Sequence, residues 1–457
     1  MRLPIMKMPE KTDSAARAEG KVFIRTFGCQ MNRHDSDLIA GSLQEKGWEL
    51  TREEKDARII LLNTCGVRDH AERRVWGKLS EYGRRKSRGE ELVVGVVGCM
   101  AQLHGREIWD RHPSVDFIVG PGSFAVLPEI LASCADRLRR RLDLEFQPAE
   151  EFYRNPRRLS RRARAAITVS RGCDNFCSYC VVPYARGRED CRPPESIITE
   201  ARGLAEQGCR EITLLGQNVN SYRARDQRGR EVDFPALLEA VSRLEGLARL
   251  RFLTSHPRDI SPALIEKMAG LDKVCQYLHF PAQSGSDRIL AAMNRGYNRR
   301  EYLAKVELVR RTVPGVALSS DFIVGFPGEA EEDFNQTLSL LKEVGFDQAF
   351  LFKYSPRPRT AAARLNDDVP DPVKQERLAL LLREQERISL ARNQALVGSE
   401  VEVLAEGASK SDQRRRQGRT RTNKIVIFPL EAADEGQIVR LTVNRATPLA
   451  RYADPSL

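Results

Sequence analysis

Continuous apolar runs mark the first third of the chain. Three of these runs are rich in β-branched residues, end in a cysteine and precede a helix-like segment: Lys21 to Cys29, Ala57 to Cys65 and Glu91 to Cys99. A fourth run, Val115 to Gly120, ends without a cysteine. Apolar strands that alternate with helices are typical of a parallel sheet covered on both faces. The pattern predicts a parallel α/β domain with three cysteines at the carboxyl ends of its strands, where such sheets gather ligands.

The same alternation returns in the middle of the chain. Six segments separated by stretches of helical length are predicted to be strands: Ala166 to Ser170, Glu211 to Gly216, Leu250 to Thr254, Cys275 to Phe280, Val316 to Val324 and Gln348 to Tyr354. Six parallel strands with crossover helices predict an incomplete β/α barrel, with functional residues in the loops that follow the strands.

A charged amphipathic helix is predicted at Asp371 to Asn393, where Leu378, Leu381, Leu382 and Ile388 stand near helical spacing and are expected to pack on the barrel. After Gly398 the chain changes to short alternating segments punctuated by glycine and proline, which predicts a small all-β barrel. The expected organisation is a disordered tail at 1–20, an N-terminal α/β domain at 21–140, a basic linker at 141–164, the incomplete barrel at 165–393 and the β-barrel at 394–457.

The densest chemical motif is RGCDNFCSYC, in which Cys173, Cys177 and Cys180 have the spacing C-x3-C-x2-C. A structural zinc site needs a fourth nearby ligand, and none is obvious. A cubane iron–sulfur cluster fits three cysteines, because three thiolates hold three irons and leave the fourth iron open. A zinc or redox loop is the alternative interpretation.

The three strand-end cysteines Cys29, Cys65 and Cys99 are far apart in sequence but are expected to converge at one edge of the sheet. Three cysteines at matching strand ends predict a second iron–sulfur cluster. The remaining cysteines show no such partnership and are interpreted as small buried hydrophobes: Cys134, Cys191, Cys209 and Cys275. His256 and His279, the two histidines on the predicted barrel, are interpreted as structural and not as ligands.

The formal net charge of the 457 residues is +11, which favours polyanions as partners. Two segments concentrate this charge: Arg154 to Ala166, and a predicted loop of the small β-barrel at Ser409 to Lys424. Arginine matches phosphate oxygens, and a basic loop on such a barrel is a plausible RNA-binding surface, although ordinary solvation is the alternative for both segments. The basic residues of the loop are Lys410, Arg414, Arg415, Arg416, Arg419, Arg421 and Lys424.

The chain shows no signal-peptide pattern in its first twenty residues and no apolar stretch of about 18 residues that would span a membrane. We therefore expect a reducing, cytosolic setting, in which clustered cysteines are metal ligands or catalytic groups more often than disulfides.

These motifs, in this order, resemble the radical S-adenosylmethionine (SAM) methylthiotransferases, in which a three-cysteine domain, a radical SAM barrel and a C-terminal barrel called TRAM follow one another. The resemblance runs from about Lys21 to Arg451 and favours the MiaB-type branch, which acts on tRNA, especially at the glutamine and asparagine after Cys29. The similar segments are TFGCQMNRHDS, SRGCDNFCSYCVVPYARG, ITLLGQNVNSY, RFLTSHP, LHFPAQSGSDRILAAMNRGY, DFIVGFPGE and FKYSPRPRT. Departures at Arg171, Arg359 and Ala361 affect expectations of local loop shape.

The resemblance implies replacement of an adenine C2 hydrogen by a methylthio group, on an N6-isopentenyladenosine next to the tRNA anticodon. It implies two [4Fe-4S] clusters, one on Cys173, Cys177 and Cys180, which cleaves SAM to a 5′-deoxyadenosyl radical, and one on Cys29, Cys65 and Cys99, which presents the sulfur. Both open irons would face a shared cavity, and two SAM would be consumed per turnover. The implied SAM-lining residues are Tyr179, Gly216, Gln217, Gln283, Ser284, Asp321, Gly325 and Glu329.

The implied partners are the tRNA anticodon stem-loop, an electron donor such as flavodoxin or ferredoxin, and a sulfur donor. The expected protein is a cytoplasmic monomer. Three alternatives stay open: the threonylcarbamoyl-adenosine tRNA branch, the ribosomal-protein branch, and an iron–sulfur RNA-binding regulator without catalysis.

Overall fold

The computed structural model describes residues 20–67, 69–135, 140–147, 163–410 and 412–453. The N-terminal sheet contains five parallel strands in chain order: β1 Lys21–Phe27, β2 Ala57–Thr64, β3 Val93–Gly98, β4 Phe117–Val119 and β5 Arg141–Asp143. Its helices are α1 Gln30–Glu45, α2 Asp69–Ser87, α3 Cys99–His104, α4 Glu107–Arg111 and α5 Leu127–Ala135. Two apolar clusters cover its two faces, as the continuous apolar strands predicted.

The N-terminal sheet extends past the boundary predicted at residue 140. Strand β5 pairs with β4 from Phe117 to Val119, although its residues fall in the segment predicted to be a linker. Strand β5 has only three residues, and two of them, Arg141 and Asp143, are charged. It therefore has no apolar run in the sequence and is recognised only by its pairing with β4. The rest of the predicted basic linker lies largely outside the described residues.

The second domain is an open barrel of six parallel strands: β6 Arg164–Thr168, β9 Glu211–Leu215, β12 Arg249–Phe252, β13 Tyr277–His279, β14 Ala317–Val324 and β15 Gln348–Lys353. They form two sheets, β6-β9-β12 and β13-β14-β15, joined by a parallel bridge between Leu250 and Val274. This confirms the incomplete β/α barrel. Short strands form the pairs β7 Ser170–Arg171 with β8 Asp190–Cys191 and β10 Arg223–Arg225 with β11 Glu231–Asp233.

The helices of the barrel are α6 Val182–Arg186, α7 Pro194–Glu206, α8 Phe234–Ser242, α9 Pro262–Gly270, α10 Asp287–Ala292, α11 Arg299–Thr312 and α12 Glu331–Val344. The predicted charged helix is α13 Asp371–Gln394. Leu381 and Ile388 join the barrel core and Leu378 packs against it. The prediction for Leu382 was wrong: its side chain is 51% exposed, because it lies about 100° around the helix from Leu381.

The C-terminal residues form a closed five-stranded barrel, as predicted: β16 Glu400–Ala408, β17 Arg415–Thr420, β18 Ile425–Pro429, β19 Ile438–Ala446 and β20 Arg451–Ala453. The segment predicted as one basic loop was partly wrong, since it contains β17. That strand pairs with β16 and β18 on its two sides. Backbone pairing therefore holds an arginine-rich strand that has no apolar pattern.

The small barrel covers the amino-terminal ends of the larger barrel's strands. Arg251 of β12 donates to the carbonyl oxygens of Thr420 and Arg421 at 2.6 and 2.7 Å, and Arg249 donates to that of Arg419 at 2.7 Å. Arg421 in turn donates to the carbonyl oxygen of Val274, just before β13. Two of the predicted RNA-binding charges, those of Arg421 and Lys424, are therefore used at this interface, where Lys424 pairs with Asp347, while Lys410 and Arg414 are exposed.

None of the helices in the described ranges is both long and apolar enough to cross a membrane.

Candidate active site

The first cysteine trio lies at one edge of the N-terminal sheet. Phe27, Thr64 and Gly98 are paired across β1, β2 and β3, so the chain leaves all three strands at the same level. Cys29, Cys65 and Cys99 follow within two residues and interact with one another there, Cys29 with Cys65 by a hydrogen bond and Cys99 with both by charge. A hydrogen bond with the Cys65 thiol lowers the pKa of Cys29 to about 6, against the opposing effect of burial. The sequence-predicted convergence is therefore present.

Glycine at position 28 permits this close approach. Its φ is +135°, and a Cβ there would stand 2.3 Å from Cys65 Cβ. Asn32 holds the loops together from the other side: Cys29 Sγ lies 3.1 Å from Asn32 Oδ1, and the Asn32 amide donates to the carbonyl of Thr64 at 3.2 Å. Asn63 returns a bond of 2.8 Å to the Asn32 carbonyl. Side-chain amides thus fix the spacing of the strand ends.

The second trio lies in the loop between β7 and α6. Cys173 is anchored by a bond of 3.2 Å from its N–H to the carbonyl of Gly187, and the Cys180 N–H donates to the carbonyl of Cys177 at 2.9 Å. Burial, and next the Cys177 sulfur, raises the pKa of Cys180 to about 12. Metal ligands must be thiolates, so a metal centre here has to displace protons as it binds.

One buried arginine touches this trio. Arg295 Nη1 lies 3.3 Å from both Cys177 Sγ and Tyr179 Oη, and the guanidinium also donates to the carbonyl of Pro281 and to the Tyr297 hydroxyl. Its contacts within the described residues include no carboxylate. A buried positive charge of this kind calls for a negative partner, and three thiolates carrying a cluster would provide one. No sequence signal had singled out Arg295.

A second buried arginine contacts the first trio from the helix that follows the second trio. Helix α6 begins two residues after Cys180 and packs against α3, which begins at Cys99. At the end of α6, Arg186 donates from Nε to Cys99 Sγ at 3.3 Å and from Nη2 to Asp35 Oδ2 at 2.6 Å. The carboxyl edge of the N-terminal sheet therefore faces the mouth of the barrel. Sequence reasoning missed Arg186 as well, because its partners come from the other domain.

Three thiols at one place form a donor set that could hold a [4Fe-4S] cluster. In the parts of the chain that the structure describes, no three His, Cys, Asp or Glu side chains are already spaced around one metal ion. A cubane cluster is several atoms wide, so its thiolates need not converge so tightly. Each trio supplies three cysteines at one place, and each is accompanied by an arginine that can compensate negative charge.

One predicted SAM-lining residue, Gln217, contacts the backbone next to the second trio. Gln217, which follows Gly216 at the end of β9, accepts a hydrogen bond of 2.5 Å from the Gly172 N–H next to Cys173. Gln283 has a φ of +71° and exchanges backbone hydrogen bonds with Asp321 and Ile323. Its Oε1 is buried and accepts no hydrogen bond from a described residue. That oxygen is available to a ligand.

Other predicted SAM-lining residues have structural partners. Ser284 Oγ contacts Thr337 Oγ1 at 3.2 Å. Glu329 accepts hydrogen bonds from the Gly325 N–H and from Arg377 Nη1, both at 2.8 Å. These contacts shape the loop after β14, and a direct role of Ser284, Gly325 or Glu329 toward SAM stays a prediction.

The barrel histidines both have contacts within the barrel, and their structural role stays a prediction. Burial lowers the pKa of His256 to about 2, so its neutral ring accepts a hydrogen bond from the Arg258 N–H. His279 contacts Ser319 Oγ at 2.9 Å. The described side chains of the other cysteines, Cys191, Cys209 and Cys275, lie in or against apolar packing or are buried; Cys134 lies outside the described side chains.

Two family models match the chain: Uncharacterized protein family UPF0004 over residues 21–120 and the Radical SAM superfamily over residues 167–341. Among solved structures, the radical SAM methyltransferase TsrM from Kitasatospora setae has a TM-score of 0.57 at 16% identity, covering 75% of this chain and 74% of that one, which shows a shared fold. The fold and the cysteine loop thus define a radical SAM protein with an additional N-terminal cysteine domain.

Sequence relatives narrow the class. The tRNA-2-methylthio-N(6)-dimethylallyladenosine synthase of Moorella thermoacetica is 48% identical over 93% of this chain and 95% of its own length. Proteins of the same name from Syntrophus aciditrophicus and Carboxydothermus hydrogenoformans are 43% and 44% identical, over 93% of this chain and 92% and 97% of their own lengths. The chain belongs to the family of tRNA-2-methylthio-N(6)-dimethylallyladenosine synthases.

Proposed function

We propose that this chain is a tRNA methylthiotransferase, which replaces the C2 hydrogen of N6-isopentenyladenosine, next to the anticodon at position 37, with a methylthio group. The names of relatives at 42 to 48% identity support this assignment. The observation that carries it is the meeting of two cysteine trios at one domain interface, where α6 leads from Cys180 to Arg186 and Arg186 touches Cys99. An aromatic C–H bond offers no acidic proton and no leaving group, so radical chemistry suits this substrate.

The proposal assigns one [4Fe-4S] cluster to each trio, with SAM beside the second. When bound, these groups would supply reductive cleavage of SAM and the sulfur that is transferred. The chain positions them: Asn32 fixes the loop of Cys29, and Gln217 fixes the loop of Cys173. Arg186 and Arg295 place positive charge on one sulfur of each trio.

The tRNA anticodon stem-loop is the proposed macromolecular partner, and the target base must leave its stack to reach the interface. Consumption of electrons and sulfur requires an electron donor, such as flavodoxin or ferredoxin, and a sulfur donor. Two SAM per turnover, a monomeric state and a cytoplasmic location complete the proposal. The proposal keeps the predicted domain boundaries, except that the N-terminal domain ends after β5.

Anaerobically reconstituted protein tests this function when it is mixed with dithionite, SAM and tRNA that carries N6-isopentenyladenosine. We expect 5′-deoxyadenosine and a methylthio mass gain on that nucleoside. The Cys29→Ala variant should still form 5′-deoxyadenosine but transfer no methylthio group, whereas Cys173→Ala should lose both activities. Equal loss of SAM cleavage in the two variants would refute the division of labour between the trios. A mass gain only on threonylcarbamoyl-adenosine tRNA would reassign the substrate.

A further inference from the structure

The open barrel carries an exposed aromatic surface on its edge strand. Phe350 and Phe352 of β15 are 37% and 36% exposed, whereas the intervening Leu351 packs against the core between barrel and helices. Side chains alternate along a strand, so the two phenylalanines point to the opposite face, into the barrel. Large apolar side chains left open to water inside a barrel indicate a surface that is covered by a ligand.

The neighbours of these rings place the surface beside the second cysteine trio. Register pairs Asp321 with Phe350 and Ile323 with Phe352, so these four side chains share the inner face. Ile323 and Tyr179, the residue before Cys180, both pack against one apolar cluster, formed by Ile289, Met293, Phe326, Tyr354 and Ala362. The aromatic surface therefore lies on the side of the barrel that carries the second trio.

The other end of the surface is polar. His279 lies edge-on to Phe350, with ring centroids 6.0 Å apart, and its Nε2 is 3.4 Å from Asp321 Oδ2. A ligand on this face would therefore meet apolar rings next to a hydrogen-bonding pair. That combination fits a heterocyclic base with a hydrocarbon substituent better than it fits a sugar phosphate.

We propose that Phe350, Phe352 and Ile323 bind the apolar N6 substituent of the target adenosine and set the preference for isopentenylated tRNA. The inference rests on the proposed function, because the dimethylallyl group in the relatives' name supplies the ligand chemistry. A short branched hydrocarbon needs a dry apolar surface within reach of the reacting base. A hydrophobic contact of this size is worth about 10- to 200-fold in discrimination.

The test compares binding of two anticodon stem-loop RNAs, identical except that one carries N6-isopentenyladenosine and the other adenosine. We expect the full-length Phe350→Ala/Phe352→Ala protein to lose about 30-fold of the wild-type preference for the isopentenylated RNA. Affinity for the unmodified RNA and for SAM should change less than about 2-fold. Phe350→Leu/Phe352→Leu should keep most of the preference, because leucine preserves an apolar surface.

Leu382→Ala, on the exposed outer side of α13, is the matched control and should leave the preference unchanged. An unchanged preference in the double alanine variant would overturn the inference, and so would an equal loss of SAM affinity, which would assign the surface to SAM. Because the readout is a ratio of binding constants, it stands apart from turnover. Wild-type protein that discriminates in binding but transfers no methylthio group would contradict the proposed function and leave this inference supported.

Discussion

Replacing Glu211 with glutamine should destabilise the end of the larger barrel that the small barrel covers, where Arg164, Arg249 and Arg251 lie; this end is called the floor below. The carboxylate is 0% exposed and contacts three arginines: Arg164 Nε at 2.7 Å, Arg251 Nε at 3.0 Å and Arg249 Nη1 at 3.9 Å. Arg164 and Arg249 have further carboxylate partners in the small barrel. Arg251 pairs with no other described carboxylate, so the substitution leaves one buried guanidinium without a negatively charged partner.

The magnitude follows from the pKa of Glu211. Burial alone would raise it, but the charges of Arg251 and Arg164 outweigh burial and lower the pKa from 4.5 to about 2. At about 1.4 kcal/mol per pH unit this difference corresponds to about 3 kcal/mol. Removing one partner of a buried ion pair costs about 3–5 kcal/mol, which agrees. We therefore expect Glu211→Gln to destabilise the floor by about 3 kcal/mol.

The effect of Glu211→Gln on stability should depend on pH. A carboxyl group whose pKa is lowered on folding stabilises the native state above its unfolded pKa of 4.5, and this contribution is lost as the pH falls toward 2. The difference between wild type and Glu211→Gln should therefore be largest above about pH 5 and should narrow below pH 4.5. Hydrogen exchange of β9, β12 and β17 is the suitable assay, because all three tryptophans lie in the N-terminal domain and do not report on this floor.

Glu231→Gln is the matched control, since its partner Arg223 and the glutamate itself are both exposed, at a pair distance of 2.9 Å. An exposed pair contributes at most about 1 kcal/mol. The reasoning is refuted if Glu211→Gln loses no more protection than Glu231→Gln, or if its deficit is the same at pH 7 and pH 3.

Two further predictions concern charge. Arg295→Gln should lower the reduction potential of the cluster proposed on the second trio by at least about 60 mV, the equivalent of ~1.4 kcal/mol for one electron, because a positive charge beside Cys177 stabilises the reduced state. EPR-monitored redox titration measures this potential, and an equal shift in the exposed Arg300→Gln control would contradict the prediction. Lys410→Glu/Arg414→Glu should weaken tRNA binding and reduce the slope of log K against log salt by the equivalent of about two phosphate contacts. Unchanged affinity would show that these residues do not belong to the RNA-binding surface.

The cysteine trios could be predicted from sequence because their geometry follows from local pattern. An apolar run fixes a buried strand, parallel pairing aligns the strand ends, and a cysteine one or two residues later must lie at that edge. Cys65 directly follows β2 and Cys99 directly follows β3. The C-x3-C-x2-C loop is equally local. Nothing in this part of the site depends on how the domains dock.

The arginines beside the trios could not be predicted in the same way. Arg186 acquires its role from Asp35 and Cys99, which belong to the other domain, and Arg295 reaches Cys177 from the loop after α10. An arginine in a sequence is most often solvated, so only docking distinguishes these two. The sequence did not predict strand β17 for a related reason. Backbone pairing with β16 and β18 determines its conformation, whereas its side chains are polar and show no strand pattern.

The docking of the small barrel changes how its RNA role has to be tested. Deleting everything after Gly398 would remove phosphate-binding candidates, but it would also expose Arg249 and Arg251, which donate to backbone carbonyls of the deleted residues. A truncated protein could therefore lose tRNA affinity because the larger barrel is damaged. Exposed charges such as Lys410 have no part in that floor, so reversing them alters the electrostatic attraction and leaves the packing in place. The salt slope separates the two causes, because damage to the fold lowers affinity without a proportionate loss of released counterions.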